Sequence, residues 1–283
     1  MRPAGAGGEE VTEEEHGNGY DPSPRHFMVS MVFMVSGPVS ASSSPSLEFQ
    51  IMPFTNRHCL VTGGTGALGS EVVRDLLEHG AEVHVTWREA RELDRIDFKD
   101  HVTLHEVDLG DEASVAAVYA KAGPIYASIH VAGGFAMGPI QDVTQSDFES
   151  MMRLNAGTCF LCCREAVKAM RAAGRSAEDG GRIVNVIARP AMEPTGGMLA
   201  YSTSKAAVAS LTQCLAKEVL DDGILVNAVA PSIMDTPANR AAMPDADFDA
   251  WPTVEEVART MVWLASPANA LTTGTLVPVY GRA

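Results

Sequence analysis

The chain has 283 residues, 46% of them hydrophobic, and is therefore long enough for one large domain with a sizeable core. Its formal net charge of −15 disfavours nucleic acid or an anionic membrane surface as a partner, and no apolar run approaches the roughly 18 residues that a membrane-spanning helix needs. The odd number of cysteines, 5, is typical of reduced thiols rather than disulfides, which predicts a cytoplasmic protein.

The first 51 residues differ in composition from the rest. They carry seven acids against two arginines, with a Ser-rich run near their end. Their apolar stretch 27–35 is too short to span a bilayer, and the acidic segment before it is unlike the basic start of a signal peptide. We therefore predict a disordered or loosely packed extension over 1–51 and one folded domain over 52–283.

From residue 52 onward, short apolar runs alternate with amphipathic segments. The predicted strands are 59–61, 83–86, 102–107, 129–132, 182–187, 224–230 and 275–279. The predicted helices are 71–79, 114–122, 148–173, 201–220 and 254–265. This alternation favours an α/β fold: a single doubly wound Rossmann domain, whose seven-stranded parallel sheet has helices on both faces.

A glycine cluster joins the first strand to the first helix. Gly64, Gly66 and Gly69 fit the G-x-G-x-x-G pattern, in which glycines permit a tight turn and the helix N-terminus faces a pyrophosphate. Because the pattern stands between a strand and a helix, it predicts a dinucleotide site rather than a plain turn.

The residues after the second strand bear on the choice of nucleotide. A carboxylate there would bind the ribose 2′-hydroxyl of NAD, but the chain has Trp87 followed by Arg88. An arginine can pair with a 2′-phosphate, which favours NADP(H) over NAD(H). The alternative is that Arg88 is an exposed side chain near Glu89 and Glu92.

Tyr201 and Lys205 lie four residues apart in a predicted helix, so both project from one face. A free phenol has a pKa of about 10, and a nearby ammonium lowers the pKa of a phenol by favouring the phenolate. Tyr201 is therefore a candidate acid/base that exchanges a proton with a carbonyl or alcohol oxygen, with Lys205 as its modulator.

Taken together, these features resemble the short-chain dehydrogenase/reductase family over nearly all of residues 55–283. The matching segments are 62–69, 108–109, 131–134, Asn155, Tyr201 with Lys205, and 227–231 followed by Thr236. The resemblance implies a hydride transfer between a nicotinamide and a carbonyl, alcohol or quinonoid small molecule. It implies the catalytic residues Tyr201, Lys205 and Asn155, with Asn155 supporting a proton-relay water.

The resemblance also implies a set of cofactor contacts. Asp108 would lie by the adenine, Ala132 and Gly133 by the adenosine ribose, Lys205 by the nicotinamide ribose and Thr236 by the carboxamide. The full set of residues predicted to bind the cofactor is Gly63, Thr65, Gly66, Leu68, Gly69, Arg88, Asp108, Leu109, Ala132, Gly133, Gly134, Tyr201, Lys205, Pro231, Ile233 and Thr236.

One position departs from the family. The family has a serine 13 residues before the tyrosine, where this chain has Ala188. Loss of one such hydrogen-bond donor costs about 10²–10³ in rate. Three readings stay open: a reductase whose substrate needs only Tyr201, a reductase with another donor, and a nucleotide-binding sensor or scaffold without turnover.

Segments 194–201 and 234–251 resemble dihydropteridine reductases, which also lack the serine and reduce a quinonoid ring. This resemblance makes a quinonoid reductase an alternative function.

The connection 233–252, with three prolines, is predicted to cover the nicotinamide end as a lid. Its alternative is a surface loop that packs on its own domain.

Two further groups of residues have less specific readings. Cys159, Cys162 and Cys163 have metal-like spacing without a second ligand pair, so we predict core packing and no metal, and His130 is predicted to be a packed residue. Apolar residues in excess on helices 148–173 and 201–220 predict a homodimer or homotetramer. The alternative is a monomer in which 1–51 covers this surface.

Overall fold

The computed structural model describes residues 54–174 and 179–282, so the predicted extension 1–51 lies outside the described residues. Seven parallel strands form one sheet in the order β3-β2-β1-β4-β5-β6-β7. They are β1 His58–Thr62, β2 Glu82–Trp87, β3 Thr103–Glu106, β4 Ala127–His130, β5 Arg182–Val186, β6 Leu225–Pro231 and β7 Leu276–Val279. The helices are α1 Ala67–Glu78, α2 Glu112–Ala122, α3 Gln145–Met151, α4 Thr158–Ala172, α5 Arg189–Met192, α6 Leu199–Glu218, α7 Pro237–Ala242 and α8 Val254–Ala265.

The sheet is covered on both faces, as predicted. Helices α1 and α8 pack on one face against side chains such as Val61 and Val229. Helices α2, α4 and α6 pack on the other face, against side chains such as Leu60 and Val226. Every residue of the central strands β4 and β6 is buried, although Ser128, His130 and Asn227 interrupt their apolar runs. Short, largely apolar strands that alternate with helices are what predicted a parallel sheet. These contacts confirm the doubly wound Rossmann fold.

The strand order reverses between β1 and β4. In open α/β sheets, ligands bind outside the carboxyl ends of the strands at this switch point. The glycine cluster follows β1 and the segment 131–134 follows β4, so both predicted cofactor segments lie there.

The predicted helix 148–173 lies on a continuous helical stretch from Gln145 to Ala172, but its conformation is not α-helical throughout. A six-residue π-helical turn, Met152–Gly157, separates α3 from α4. The hydrophobic period continues across the turn, so the pattern of the sequence does not reveal it, whereas Gly157 at its end is a weak helix former. The short helices α5 and α7 were also not predicted; each has proline in its first turn.

Within the described ranges, no helix is both long and apolar enough to cross a membrane.

Candidate active site

The glycine cluster forms a turn that side chains would not fit. Gly63 has a positive φ of 65°, and a Cβ there would lie 2.8 Å from the backbone nitrogen of Ala132. A Cβ on Gly69 would overlap the carbonyl oxygen of Gly63. The loops after β1 and β4 therefore approach each other at backbone distance, which only glycine allows.

The N-terminus of α1 is open. Gly66 is its N-cap, no side chain among the described residues caps it, and its first turn contains no acid. The unpaired N–H groups and the positive end of the helix dipole suit a phosphate group. Leu68, also in this first turn, has its side chain buried in the core. Its predicted contact with the cofactor would therefore be made by its backbone. This cradle fits the pyrophosphate of a dinucleotide.

The carboxylate of Glu92, a near neighbour of Arg88 in the sequence, lies beside the glycine loop. Glu92 accepts a hydrogen bond from the Thr65 hydroxyl at 2.6 Å and another from the Glu89 backbone N–H at 3.1 Å. The spacing of Glu89 and Glu92 predicts the capping box that these two residues form, but it does not predict the contact of Glu92 with Thr65. Arg88 is exposed, with 66% of its side chain accessible, and its guanidinium lies 3.5 Å from Glu89.

The remaining predicted cofactor residues lie at carboxyl ends of the strands. Asp108 follows β3 and is exposed, with its carboxylate accepting from the Gly110 N–H at 2.9 Å, and Leu109 beside it is half-buried. Pro231 ends β6 and Ile233 is exposed just after it. Thr236 uses its hydroxyl as the N-cap of α7.

The Asn155 side chain joins two elements of the site. It lies in the π-helical turn, only 2% exposed. Its Oδ1 accepts from the Gly134 N–H at 2.9 Å, and its Nδ2 donates to the Gly134 carbonyl at 3.1 Å and the Ser204 hydroxyl at 2.9 Å. Its amide thus fixes the loop after β4 against α6, and π turns recur at functional sites.

Lys205 completes this group. Its buried ammonium donates to the Val186 carbonyl at the end of β5, at 2.9 Å. A Cβ on Gly133 would come within 3.3 Å of the Lys205 Nζ and 2.6 Å of the Asn155 Oδ1. The structure therefore brings Asn155, Lys205 and the loop after β4 together, with Tyr201 one turn away on the same helix.

The pKa values correct one expectation. Burial raises the pKa of Tyr201 to about 12 and lowers the pKa of Lys205 to about 8. The prediction that Lys205 lowers the pKa of Tyr201 is wrong for the chain by itself, because desolvation of the phenol dominates. Tyr201 therefore holds its proton at neutral pH.

The serine hydroxyl that the family has 13 residues before the tyrosine is absent, because this chain has Ala188 at that position. It is buried at the end of β5, where it is the N-cap residue of α5. The nearby Ser202 hydroxyl is buried without a hydrogen-bond partner among the described residues. Neighbouring residues on a helix project about 100° apart, so Ser202 and Tyr201 do not face the same atom.

One aromatic side chain, Phe135, contacts Tyr201. The Phe135 ring meets the Tyr201 ring edge-on, with centroids 4.9 Å apart, yet Phe135 is 58% exposed.

In segment 233–252, the Phe248 and Trp251 rings lie 5.1 Å apart. Arg240 pairs with Asp235 and lies over Phe248, so much of the segment packs on itself. Its role as a lid stays a prediction.

Comparison with known proteins agrees with this geometry. The short chain dehydrogenase family matches residues 57–247. Galactitol 2-dehydrogenase of Rhizobium johnstonii is 34% identical over 241 residues, covering 78% of this chain and 92% of that protein. A 3-oxoacyl-[acyl-carrier-protein] reductase of rhamnolipid biosynthesis, from Pseudomonas aeruginosa, is 29% identical and covers 80% of this chain and 95% of that protein.

A solved structure described as "ElxO with NADP Bound" aligns with a TM-score of 0.73 and 25% identity, covering 80% of this chain and 97% of that one. The chain belongs to the short-chain dehydrogenase family, a class of oxidoreductases. The family and fold predictions are thereby confirmed.

Proposed function

We propose that the protein is an NADPH-preferring reductase of a carbonyl or quinonoid small molecule, with Tyr201 as the proton donor. The observation that carries this proposal is the buried group of Asn155, Lys205 and Gly134 beside a phenol that is protonated at neutral pH. A phenol that starts with its proton suits reduction, in which the substrate oxygen gains one.

The shape of the glycine loop supports a dinucleotide cofactor. When bound, NADPH supplies a hydride. The open N-terminus of α1 and the side-chain-free surface at Gly63 and Gly69 would hold its pyrophosphate. The similar solved structure that contains bound NADP also supports this cofactor.

Lys205 has the role of a positioning cation. With a pKa of about 8, it is mostly protonated at pH 7 and its charge is lost as the pH rises through 8. The neutral amine keeps N–H donors, but its bonds to the Val186 carbonyl and to a ribose hydroxyl lose the strength that the positive charge adds. We expect the reaction rate to fall above pH 8 for this reason.

The preference for NADPH rests on Arg88. Its guanidinium is exposed and its contact with Glu89 is long, so it can turn to a 2′-phosphate. Glu92, bonded to Thr65, is the opposing group, because a carboxylate beside the loop would repel that phosphate.

The test is a panel of carbonyl and quinonoid substrates assayed with NADPH. Tyr201→Phe is expected to lower turnover by about 10²–10⁴-fold while NADPH binding is kept. Tyr126→Phe, which removes a hydroxyl at the start of β4 and away from the site, is the matched control and should leave turnover unchanged. Undiminished turnover in Tyr201→Phe would remove Tyr201 from the mechanism.

Ala188 supports a second candidate, a nucleotide-binding sensor or scaffold. Its methyl group occupies the place of a hydroxyl donor at the end of β5. Tight NADPH binding without NADPH oxidation by any substrate would favour this function. Gain of activity in Ala188→Ser would instead indicate a weakened enzyme.

The exposed Phe135 supports the quinonoid form of the reductase. A flat ring placed beside Tyr201 can stack on the Phe135 ring, and an electron-poor ring needs less hydrogen bonding than a ketone. Phe135→Leu should weaken the binding of quinonoid substrates more than the binding of aliphatic ketones. Equal losses for both classes would count against this form.

Assembly and location complete the proposal. Phe160 on α4 is 51% exposed, and Leu211 and Leu215 on α6 are only partly buried, which supports the predicted homodimer or homotetramer. All five cysteines are free thiols, which supports a cytoplasmic setting. Light scattering tests the assembly, on the full chain and on a chain starting at Met52. A monomer in both would contradict it.

A further inference from the structure

A second cluster of chemically active side chains lies behind the active site. His130 at the end of β4 and Cys159 and Cys163 on α4 place their ligand atoms within 4.8 Å of one another. The side-chain carbonyl oxygen of Asn185 on β5, Oδ1, contacts the same atoms. All four residues are buried in the core between the sheet and α4.

Two of the separations in this cluster are close to the edges of a tetrahedral metal site. The two sulfurs are 3.9 Å apart, and the Cys163 sulfur is 3.6 Å from the His130 Nδ1. Zinc bonds of about 2.3 Å to sulfur and about 2.0 Å to nitrogen give tetrahedral edges of about 3.8 Å and 3.6 Å.

Asn185 occupies the fourth corner. Its oxygen lies 3.3 Å from the Cys159 sulfur and 3.6 Å from the Cys163 sulfur. Its Nδ2 donates to the Thr212 hydroxyl at 2.9 Å, which fixes the oxygen toward the cluster. Three donors, the two thiols and the imidazole, converge on this one oxygen. A carbonyl oxygen has two lone pairs, so it accepts fully from two of these donors, and the third, a thiol, is left with the 3.9 Å contact to the other sulfur.

His130 also has the outer contacts that a metal ligand needs. Its Nε2 lies 2.8 Å from the Ser128 hydroxyl and 3.1 Å from the Tyr119 hydroxyl. The 2.8 Å separation of its Nδ1 from the Asn185 oxygen is a hydrogen bond, so Nδ1 carries a proton in this arrangement. On binding a cation, the proton moves to Nε2, where Ser128 accepts it, and Nδ1 and the oxygen separate by about 0.5 Å.

The charges of such a site would balance. Binding of a divalent cation releases two thiol protons to solvent, and two thiolates neutralise the ion, so no net charge is buried. Thiolate and imidazole ligands select zinc-like ions over magnesium or calcium.

The geometry points to a structural site for a zinc-type cation formed by His130, Cys159, Cys163 and the Asn185 carbonyl oxygen. The site is closed to solvent, which is typical of structural rather than catalytic zinc. It would tie α4 to β4 and β5 one helical turn after Asn155, and it is independent of the proposed activity.

The test uses the reduced full-length protein and Cd²⁺ as a spectroscopic probe, followed by Zn²⁺. One equivalent of Cd²⁺ should produce the ultraviolet thiolate-to-metal charge-transfer band. Saturating Zn²⁺ should raise the unfolding temperature by at least about 4 °C. Both effects should be lost in Cys159→Ser and Cys163→Ser. Cys214→Ser, which removes an exposed thiol elsewhere, is the matched control and should keep them.

X-ray absorption of the zinc-loaded wild type keeps the proposal testable if a serine variant does not fold. Two sulfur neighbours at about 2.3 Å are expected, with nitrogen or oxygen completing the shell. A shell of nitrogen and oxygen alone, no charge-transfer band, or a band that survives in Cys163→Ser and is lost in Cys214→Ser would overturn the proposal and leave a packed thiol cluster.

Discussion

The two halves of the sheet build their parts of the site in different ways. On the β1 side, the turn that would hold the pyrophosphate consists of backbone, and its shape is set by Gly63 and Gly69, where a side chain would clash. On the β4–β5 side, the site consists of buried polar side chains, such as Asn155 and Lys205, that meet only after folding. The first half should therefore be sensitive to added volume, and the second to lost hydrogen bonds and to pH.

The largest expected effect tests the first half. In Gly69→Ala, the added methyl group overlaps the backbone of Gly63, which cannot move cheaply. We expect a loss of about 3 kcal/mol in unfolding free energy and a loss of NADPH binding of more than about 100-fold. Urea unfolding and calorimetry measure the two quantities.

Gly66→Ala is the matched control for stability. A Cβ there meets nothing closer than 3.4 Å, so its unfolding free energy should change by less than about 1 kcal/mol. Equal stability of the two variants would contradict the steric account of this half.

The next effect tests the second half. Asn155→Ala leaves the Gly134 N–H without its acceptor and removes the amide donor of the Ser204 hydroxyl, which keeps its own bond to the Tyr201 carbonyl. Turnover should fall by about 10²-fold, and the unfolding free energy by about 2 kcal/mol. NADPH affinity, held by the first half, should change far less. A loss in affinity as large as the loss in turnover would show that the two halves are not separable.

A pH-dependent effect limits the comparison, because the first half also contains buried polar side chains. His84 on β2 lies between His58 and His105, with ring nitrogens 3.4 Å and 3.0 Å away. Burial, and then the charges of His105 and His58, lower the pKa of His84 to about 4. Its pKa in the unfolded chain is about 6.5.

Below pH 6.5 the unfolded chain therefore binds a proton that the folded chain does not. Stability is fully present above pH 6.5 and is lost as the pH falls toward 4. Between pH 7 and 4, the wild type should lose about 2 kcal/mol more than His84→Gln. Parallel stability curves for the two proteins would contradict this.

The smallest effect concerns the choice of nucleotide. Arg88→Ala should raise the KM for NADPH by about 10-fold and leave the KM for NADH unchanged. Arg91→Ala is the control, because its side chain is 73% exposed and pairs with the same Glu89. An equal change in both variants would exclude a specific contact at Arg88.

The same contrast explains what could be predicted from sequence. The strands and the glycine turn were predictable because apolar runs and glycines act locally. The π turn at Asn155 was not, because the helical period of apolar residues continues across it. The pKa of Tyr201 was predicted with the wrong sign, because spacing reports Lys205 but not burial. The contact of Glu92 with Thr65 depends on loop closure across 27 residues, which no local pattern encodes.

The central claim is that this site transfers a hydride from NADPH while Tyr201 supplies a proton. It is tested most directly with NADPH deuterated at the transferred position and an active carbonyl or quinonoid substrate. We predict that the wild type places deuterium on the product carbon, and that Tyr201→Phe does so about 10²–10⁴ times more slowly with unchanged NADPH affinity. Product without deuterium, or equal rates in the two proteins, would contradict the account.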